Sequence, residues 1–429
     1  MAEDMRTTRG NLRVCVIGGG PAGLTAAARA AEKGASVTLL ERGERVGRKI
    51  LQTGNGKCNY TNRVLTPECY HTVPDSFAMK ALARFGPEDT IRRFRELGIE
   101  PLELRDGYFY PHSGQAASVL NALRQACESS GVRMITACEV RSVMKRGEQF
   151  RIRTDRELLT AERLILATGS RAGAGKDADD AGLGYAEAFG HRVNRPLPAL
   201  CAMSCAEKEF FQSVAGVRVP AEITLSLDGR EADRAAGEVQ LTAYGLSGIP
   251  VFQVSRTAAR SLSLGRRVEA KVDFLPDAET LACGKTVREW LDERAARTGA
   301  GTLELFGNGL LNKNLWNGLL KRSSLKPGGK TKELTDEQKD NLLSSMRGSM
   351  FRVIRTAGFD QAQTATGGID TREIDPLTME SRLVPGLYFA GEMIDVDGIC
   401  GGYNLQWCWT SGELAGTDAA ETWRDLRGC

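Results

Sequence analysis

Residues 14–23 read VCVIGGGPAG, a short apolar run followed by Gly18-x-Gly20-x-x-Gly23. The run has the composition of a buried strand, and the small-residue stretch after it, AGLTAAARAAEKG, has that of a helix. Gly18 permits a tight turn, Gly20 lets backbone approach a pyrophosphate, and Gly23 lets the helix pack closely on a sheet. Pro21 suits a first helical turn, and Gly34 suits the C-terminal cap. Ala26, Ala27 and Ala30 keep the helix narrow against the strands. The next strand-like run, ASVTLLE, ends at Glu41, 18 residues after Gly23. A carboxylate there accepts hydrogen bonds from an adenosine ribose and repels a 2′-phosphate. Segment 14–41 therefore predicts a βαβ unit for the ADP moiety of FAD or NAD, and argues against NADP.

The chain is 429 residues long, more than one simple core accommodates, so two or three domains are expected. A hydrophobic content of 41% and a charged content of 26% are ordinary for a globular protein. The net charge is +3 with both signs mixed, and no basic stripe is interleaved with aromatics. That pattern disfavours a nucleic-acid partner. The start, MAEDMRTTRGN, has the character of neither a signal peptide nor a transit peptide, and no apolar stretch is long enough for a bilayer. A cytoplasmic protein with no membrane partner is expected. The 11 cysteines are scattered without a CxxC pair, and there are only 3 histidines. No metal site and no disulfide framework is expected.

Beyond residue 41 the chain divides by composition. Residues 42–62, RGERVGRKILQTGNGKCNYTN, read as a long loop, either functional or disordered. Residues 77–97 read as helical, and 107–127 as a loop running into an amphipathic helix. Residues 138–169 have strand composition and predict a β-meander whose last strand ends at Ala167-Thr168-Gly169. Residues 194–275 alternate apolar and polar positions between tight turns, the mark of an antiparallel sheet or barrel. Residues 278–348 hold two capping boxes, Thr286-x-x-Glu289 and Thr335-x-x-Gln338, around Gly- and Pro-broken helical pieces. The final stretch returns to the first style with GLYFAGE and a Gly-rich loop before a helix. The expected fold class is α/β: a discontinuous nucleotide domain (1–193 and 355–429), an inserted β-barrel (194–277 and 346–354) and a helical subdomain (278–345).

GLYFAGE places Gly391-Glu392 at a strand end, where a carboxylate can bind the hydroxyls of a ribityl chain. Asp397-Gly398-x-x-Gly401-Gly402-Tyr403-Asn404-Leu405 then puts paired glycines before a helix. Backbone N–H groups at a helix N-terminus suit the negative charge of a reduced flavin. Taken with VIGGGPAG, GRKILQTGNGKCNYTN, YPHSGQAASV, LILATGS, GEVQLTAYGLSGIPVFQVSR, TATGGID and LYFAGEMIDVDGICGGYNLQ, this pattern resembles the FAD-dependent BaiN-type, YhiN-like or aminoacetone-oxidase-like proteins. The motifs run from residue 14 to residue 416. One departure is Lys57, where the family usually has Arg, which changes a bidentate phosphate contact into a point charge.

The resemblance implies a Rossmann-like two-dinucleotide-type FAD domain with an inserted antiparallel β-barrel and a small helical subdomain. It implies cofactor contacts at Gly18, Gly20, Gly23, Glu41, Lys49, Asn55, Gly56, Lys57, Cys58, Asn59, Asn62, Thr168, Gly169, Gly391, Glu392, Gly402, Asn404 and Leu405, with Val140 offering backbone to the adenine. Pro21, Ala22, Arg42, Ala167, Asp397 and Tyr403, which border these positions, complete the candidate set. No second GxGxxG has a strand, a helix and an acid around it, so NADH or NADPH would dock only transiently as electron donor. The resemblance further implies reduction of a conjugated C=C bond in a bile-acid or steroid enone, with two alternatives: a flavin amine oxidase, or a tRNA-associated or non-catalytic flavoprotein. For the protein acid, GYFYPHSGQA offers Tyr110 and His112, with Tyr108 and Ser113 beside them.

Overall fold

The computed structural model describes residues 11–173, 179–298 and 301–425. Most of the N-terminal segment read above, and Cys429, lie outside them. The described residues form two compact units, one built from the chain up to Pro196 and again from Thr364 onward, the other from Leu197–Gln363. The sequence reading places these junctions at 193/194 and 354/355.

The first unit is built on a five-stranded parallel sheet. Its order is Leu387–Phe389, Arg163–Leu166, Arg13–Ile17, Ser36–Leu40 and Arg133–Ile135. Val14 lies opposite Arg163 on one side and Val37 on the other. Val16, Leu39, Leu164, Ile165, Leu166, Leu387 and Phe389 are fully buried, as strands with both faces covered require. Helix Pro21–Glu32 follows the first strand. Gly34 closes it: its N–H donates to the Ala31 carbonyl (2.9 Å), and the Ala35 N–H donates to the Ala30 carbonyl (3.1 Å).

The C-terminal helix Tyr403–Asp425 packs along Pro21–Glu32. Two glycines four residues apart set the approach. A Cβ on Gly412 would lie 2.5 Å from the Ala22 carbonyl oxygen, and one on Gly416 2.4 Å from that of Ala26. Small residues on both helices let the backbones meet, so the start and end of the sequence share one core.

The remaining pieces of this unit are small antiparallel sheets. The meander Val140–Arg146, Gln149–Thr154 and Leu158–Ala161 is one of them. Residues 157–169, expected as one strand of that meander, break at Glu162, and Arg163–Leu166 joins the parallel sheet instead. Residues 42–62 are not loop throughout: Arg48–Gln52 is a short helix, anchored by the fully buried Ile50 and by a bond from the Gly47 N–H to the Gly19 carbonyl (2.8 Å). Residues 77–97 form two helices, Ser76–Leu82 and Pro87–Glu96, because Gly86-Pro87 ends the first and opens the second.

The second unit contains a closed antiparallel barrel in the order Met203–Cys205, Gly245–Ser247, Arg230–Thr242, Arg218–Leu227, Val268–Asp273 and Ser349–Thr356. Helix Ile249–Ser263, absent from the sequence reading, packs on it. Among the described residues, five α-helices between Ala278 and Arg347 make the helical insert. Both capping boxes form: the Thr286 N–H donates to Glu289 (2.9 Å), and the Thr335 N–H to Gln338 (3.0 Å). Phe210, Phe211, Phe274 and Phe351 pack together, and one hydrophobic core runs through barrel and insert.

Candidate functional site

A cavity of about 490 Å³ opens at the C-terminal ends of the parallel strands in the first unit. It falls within the size range of small-molecule sites. Its floor is the turn from the first strand into helix Pro21–Glu32. Gly18 takes φ +108°, and a Cβ there would lie 2.3 Å from the Ala167 carbonyl oxygen. A Cβ on Gly23 would lie 1.8 Å from the Gly18 carbonyl oxygen. A Cβ on Gly20 would meet nothing within 4 Å, because that side faces the cavity. Among the described residues no side chain caps the helix N-terminus, so its positive end is presented there.

Glu41 lines the same cavity and is already oriented. One carboxylate oxygen accepts from the Gly19 N–H (2.8 Å), the other from the Gly43 N–H (2.6 Å). Each oxygen keeps acceptor capacity for a hydroxyl. At the other end Glu392 pairs with Lys49, accepts from Thr364 Oγ1 (2.6 Å), and lies 3.4 Å from Ser170 Oγ. Gly391 sits against Ala22, and its carbonyl accepts from Trp407 Nε1 (3.2 Å).

Of the candidate residues, Gly18, Gly20, Pro21, Ala22, Glu41, Arg42, Lys49, Ala167, Thr168, Gly169, Gly391 and Glu392 line this cavity. The others do not. Gly23 packs beneath it. Val140 is buried, and its carbonyl accepts from Tyr185 Oη (2.5 Å), while the neighbouring Glu139 lines the cavity.

Asn55, Gly56, Lys57, Cys58, Asn59 and Asn62 belong to a separate turn. It is left-handed at Gly54, Asn55 and Gly56, a conformation that glycine and asparagine tolerate. This turn lies against the second glycine-rich segment. Asn62 Nδ2 donates to the Gly401 carbonyl (3.2 Å), and a Cβ on Gly402 would lie 2.9 Å from Asn59 Oδ1, a buried oxygen with no hydrogen-bond partner among the described residues. Cys58 is buried there, and burial pushes its thiol up to about 11.

The side chains of the second motif have structural partners. Asn404 bonds the Gly398 N–H and carbonyl (2.9 Å each), Tyr403 Oη donates to the Val64 carbonyl (2.9 Å), and Leu405 is buried. Asp397 is buried opposite His71 in a two-residue ribbon. Tyr110 is half-buried beside Gly54, and His112 is exposed.

The cavity also takes in Gly19, Gly43, Glu44, Arg45, Gly47, Arg48, Gln52, Glu139, Ser170, Gly173, Ala390 and Cys408, which the sequence reading does not name. The glycines of RGERVGRK mark that stretch as backbone-led, as in the named turns. Nothing in the sequence marks Glu139 or Cys408.

The arrangement fits FAD. The open side of Gly20 at a helix N-terminus would suit a pyrophosphate, Glu41 would suit ribose hydroxyls, and Glu392, also on the cavity wall, would suit a polyol. A family model described as "HI0933-like protein Rossmann domain" matches residues 12–418. The chain is 39% identical over 411 residues to the 3-dehydro-bile acid delta(4,6)-reductase of Clostridium scindens, across 95% of this chain and 99% of that protein. It is 31% identical over 401 residues to the ribosomal RNA dihydrouridine synthase of Haemophilus influenzae, and 32% over 399 residues to that of Escherichia coli. Each of these two matches covers 92% of this chain and 95% of the relative. With the glycine-lined cavity between its first and last segments, the chain belongs to the HI0933-like family and is an FAD-dependent oxidoreductase.

Proposed function

We propose that this protein reduces a carbon–carbon double bond conjugated to a carbonyl in a steroid or bile-acid enone, with NADH or NADPH as the transient electron donor. The supporting observation is a reaction class shared by relatives whose substrates differ. A delta(4,6)-reductase of a 3-dehydro bile acid saturates bonds conjugated to a ring ketone. Formation of dihydrouridine saturates a bond conjugated to a carbonyl of uracil. The bile-acid reductase is the more similar of the two and covers more of the chain, which favours the steroid as substrate.

When bound, FAD supplies hydride chemistry. The chain's own residues bind and orient it. Gly18 to Ala22, at the N-terminus of the helix, would face the diphosphate, and Glu41 would take the ribose. Lys49 and Glu392, paired on the cavity wall, would hold the polyol end, and the turn 55–59 packed against Gly402 would offer backbone to the flavin. Tyr110 holds the proton. Burial raises its phenol above the ordinary value of 10.0, so its Oη stays protonated and donates to the substrate carbonyl oxygen. His112, exposed on the following loop, is the alternative donor.

The test is anaerobic. Addition of NADH or NADPH is expected to bleach the flavin. A conjugated 3-oxo steroid then restores the colour and gains two hydrogens by mass. If uridine-containing ribosomal RNA restores it and no steroid does, the activity is that of the rRNA-named relatives, which have 31% and 32% identity. If neither does, the reading fails.

A further inference from the structure

The small antiparallel sheet of Thr61–Asn62, Tyr108–Pro111 and Pro101–Glu103 has two unlike faces. Residues opposite one another in such a sheet share a face, and positions two apart along a strand do as well. Phe109 points inward, 2% exposed, near Tyr60. Tyr108 and Tyr110 point the other way. Leu102 is paired with Tyr110, and Leu104, two residues on, donates its N–H to the Tyr108 carbonyl (2.8 Å).

The outward face thus carries two leucines and two half-buried tyrosines. Leu102 is 36% and Leu104 49% exposed. An outward sheet face ordinarily carries polar residues. A cluster of exposed apolar side chains in that place is the mark of a binding surface.

This face borders the turn at Gly54 and the second glycine-rich segment. The Tyr110 ring lies 3.5 Å from where a Cβ on Gly54 would stand, and the Tyr108 ring 2.7 Å from where one on Gly401 would stand. Gln52, two residues before Gly54, lines the cavity. One aromatic ring therefore lies beside that turn and the other beside the second glycine-rich segment.

The side chains of the face select among occupants. Leucines and the flats of phenol rings suit a rigid hydrocarbon surface, and each phenol hydroxyl can donate a hydrogen bond to a carbonyl oxygen. None of the four is a cation, as a phosphate backbone would require.

We propose that this outer face is the platform for the hydrocarbon side of a fused-ring enone, with Leu102 and Leu104 setting the preference for bulky over small enones. The inference rests on the reduction proposed above. Burial of a leucine against substrate corresponds to roughly ten- to hundredfold in an equilibrium constant.

The experiment uses the flavin-loaded full chain and a Leu102→Ser/Leu104→Ser double variant. Two quantities are measured: kcat/KM for a conjugated 3-oxo steroid relative to cyclohexenone, and equilibrium binding of a saturated 3-oxo bile acid. In the double variant the steroid-to-cyclohexenone ratio is expected to fall by at least about tenfold, chiefly through the steroid KM, and binding of the saturated ketone to weaken similarly. Leu102→Met/Leu104→Met should restore both, which separates lost contact from lost folding. An unchanged ratio with intact enone reduction overturns the platform and leaves the reaction standing. Binding of the saturated ketone that the serine pair weakens, without any enone reduction, supports the platform and overturns the reaction. A wild-type protein that neither reduces the enone nor binds the saturated ketone overturns both.

Discussion

Glu392 shows how one residue joins two distant parts of the chain. It pairs with Lys49 and accepts from Thr364, so its removal leaves a partly buried ammonium without its counter-charge. Glu392→Ala is expected to weaken FAD binding by roughly ten- to hundredfold, the worth of a hydrogen bond to a charged group. Flavin fluorescence titration of the apoprotein measures it. Gly23 was legible from its spacing, and the structure gives the reason: a methyl group there would meet the Gly18 carbonyl oxygen.

Glu413 was not legible, because it looks like any surface carboxylate on a helix. Folding buries it against Arg29 (2.7 Å), with Arg93, Glu32 and Lys33 around it. Burial is the main cause raising its carboxyl above 4.5. Arg29 and Arg93 oppose the rise, Glu32 adds to it, and Lys33 opposes it. The folded state therefore holds the proton to higher pH than the unfolded chain does. The contribution of this group is most favourable below 4.5 and declines as pH rises toward the raised value. Glu413→Gln is expected to remove that decline, and melting temperatures of both proteins from acid to neutral pH will show whether the slopes differ. Parallel slopes would contradict it.

Among the elements, the first and last helices pack directly on one another. Gly412 and Gly416 place helix Tyr403–Asp425 against the backbone of Pro21–Glu32. Gly416→Leu forces the two apart and is expected to cost about 1–3 kcal/mol or more, read from a urea midpoint together with loss of bound flavin. Thr335→Ala removes one half of a capping box and is expected to cost about 1 kcal/mol without altering flavin content. Both capping boxes were legible because a cap is a local exchange of hydrogen bonds between residues three apart. Helix Arg48–Gln52 was not. Five residues are too few for local propensity to nucleate a helix, and this one is held by the burial of Ile50 and by the bond from Gly47 to Gly19. The strand break at Glu162 escaped notice for a similar cause. Composition marks extended chain but does not say which sheet a strand joins.

At the scale of the molecule, the two units have separate cores, and every residue lining the cavity belongs to the first. The chain leaves that unit after Pro196 and re-enters it at Thr364. Strands Val193–Ala199 and Thr364–Ile369 pair in one two-stranded sheet, so the exit and return lie side by side. Replacement of 197–363 by a short Gly/Ser linker is expected to leave a soluble protein that still binds FAD with its yellow colour. A colourless product that cannot be reconstituted would show that the insert contributes to the cofactor site.

The sequence by itself determined the nucleotide-binding turn, the acid at Glu41, the antiparallel character of the insert and the family. Each rests on spacing along a few neighbouring residues, where strand and helix periodicity and glycine sterics act locally. The tertiary structure decided the pairing of Lys49 with Glu392, the closeness of the first and last helices, and the apolar outer face of Leu102, Leu104, Tyr108 and Tyr110. Those depend on which segments meet across hundreds of residues, and packing between surfaces settles that rather than local pattern.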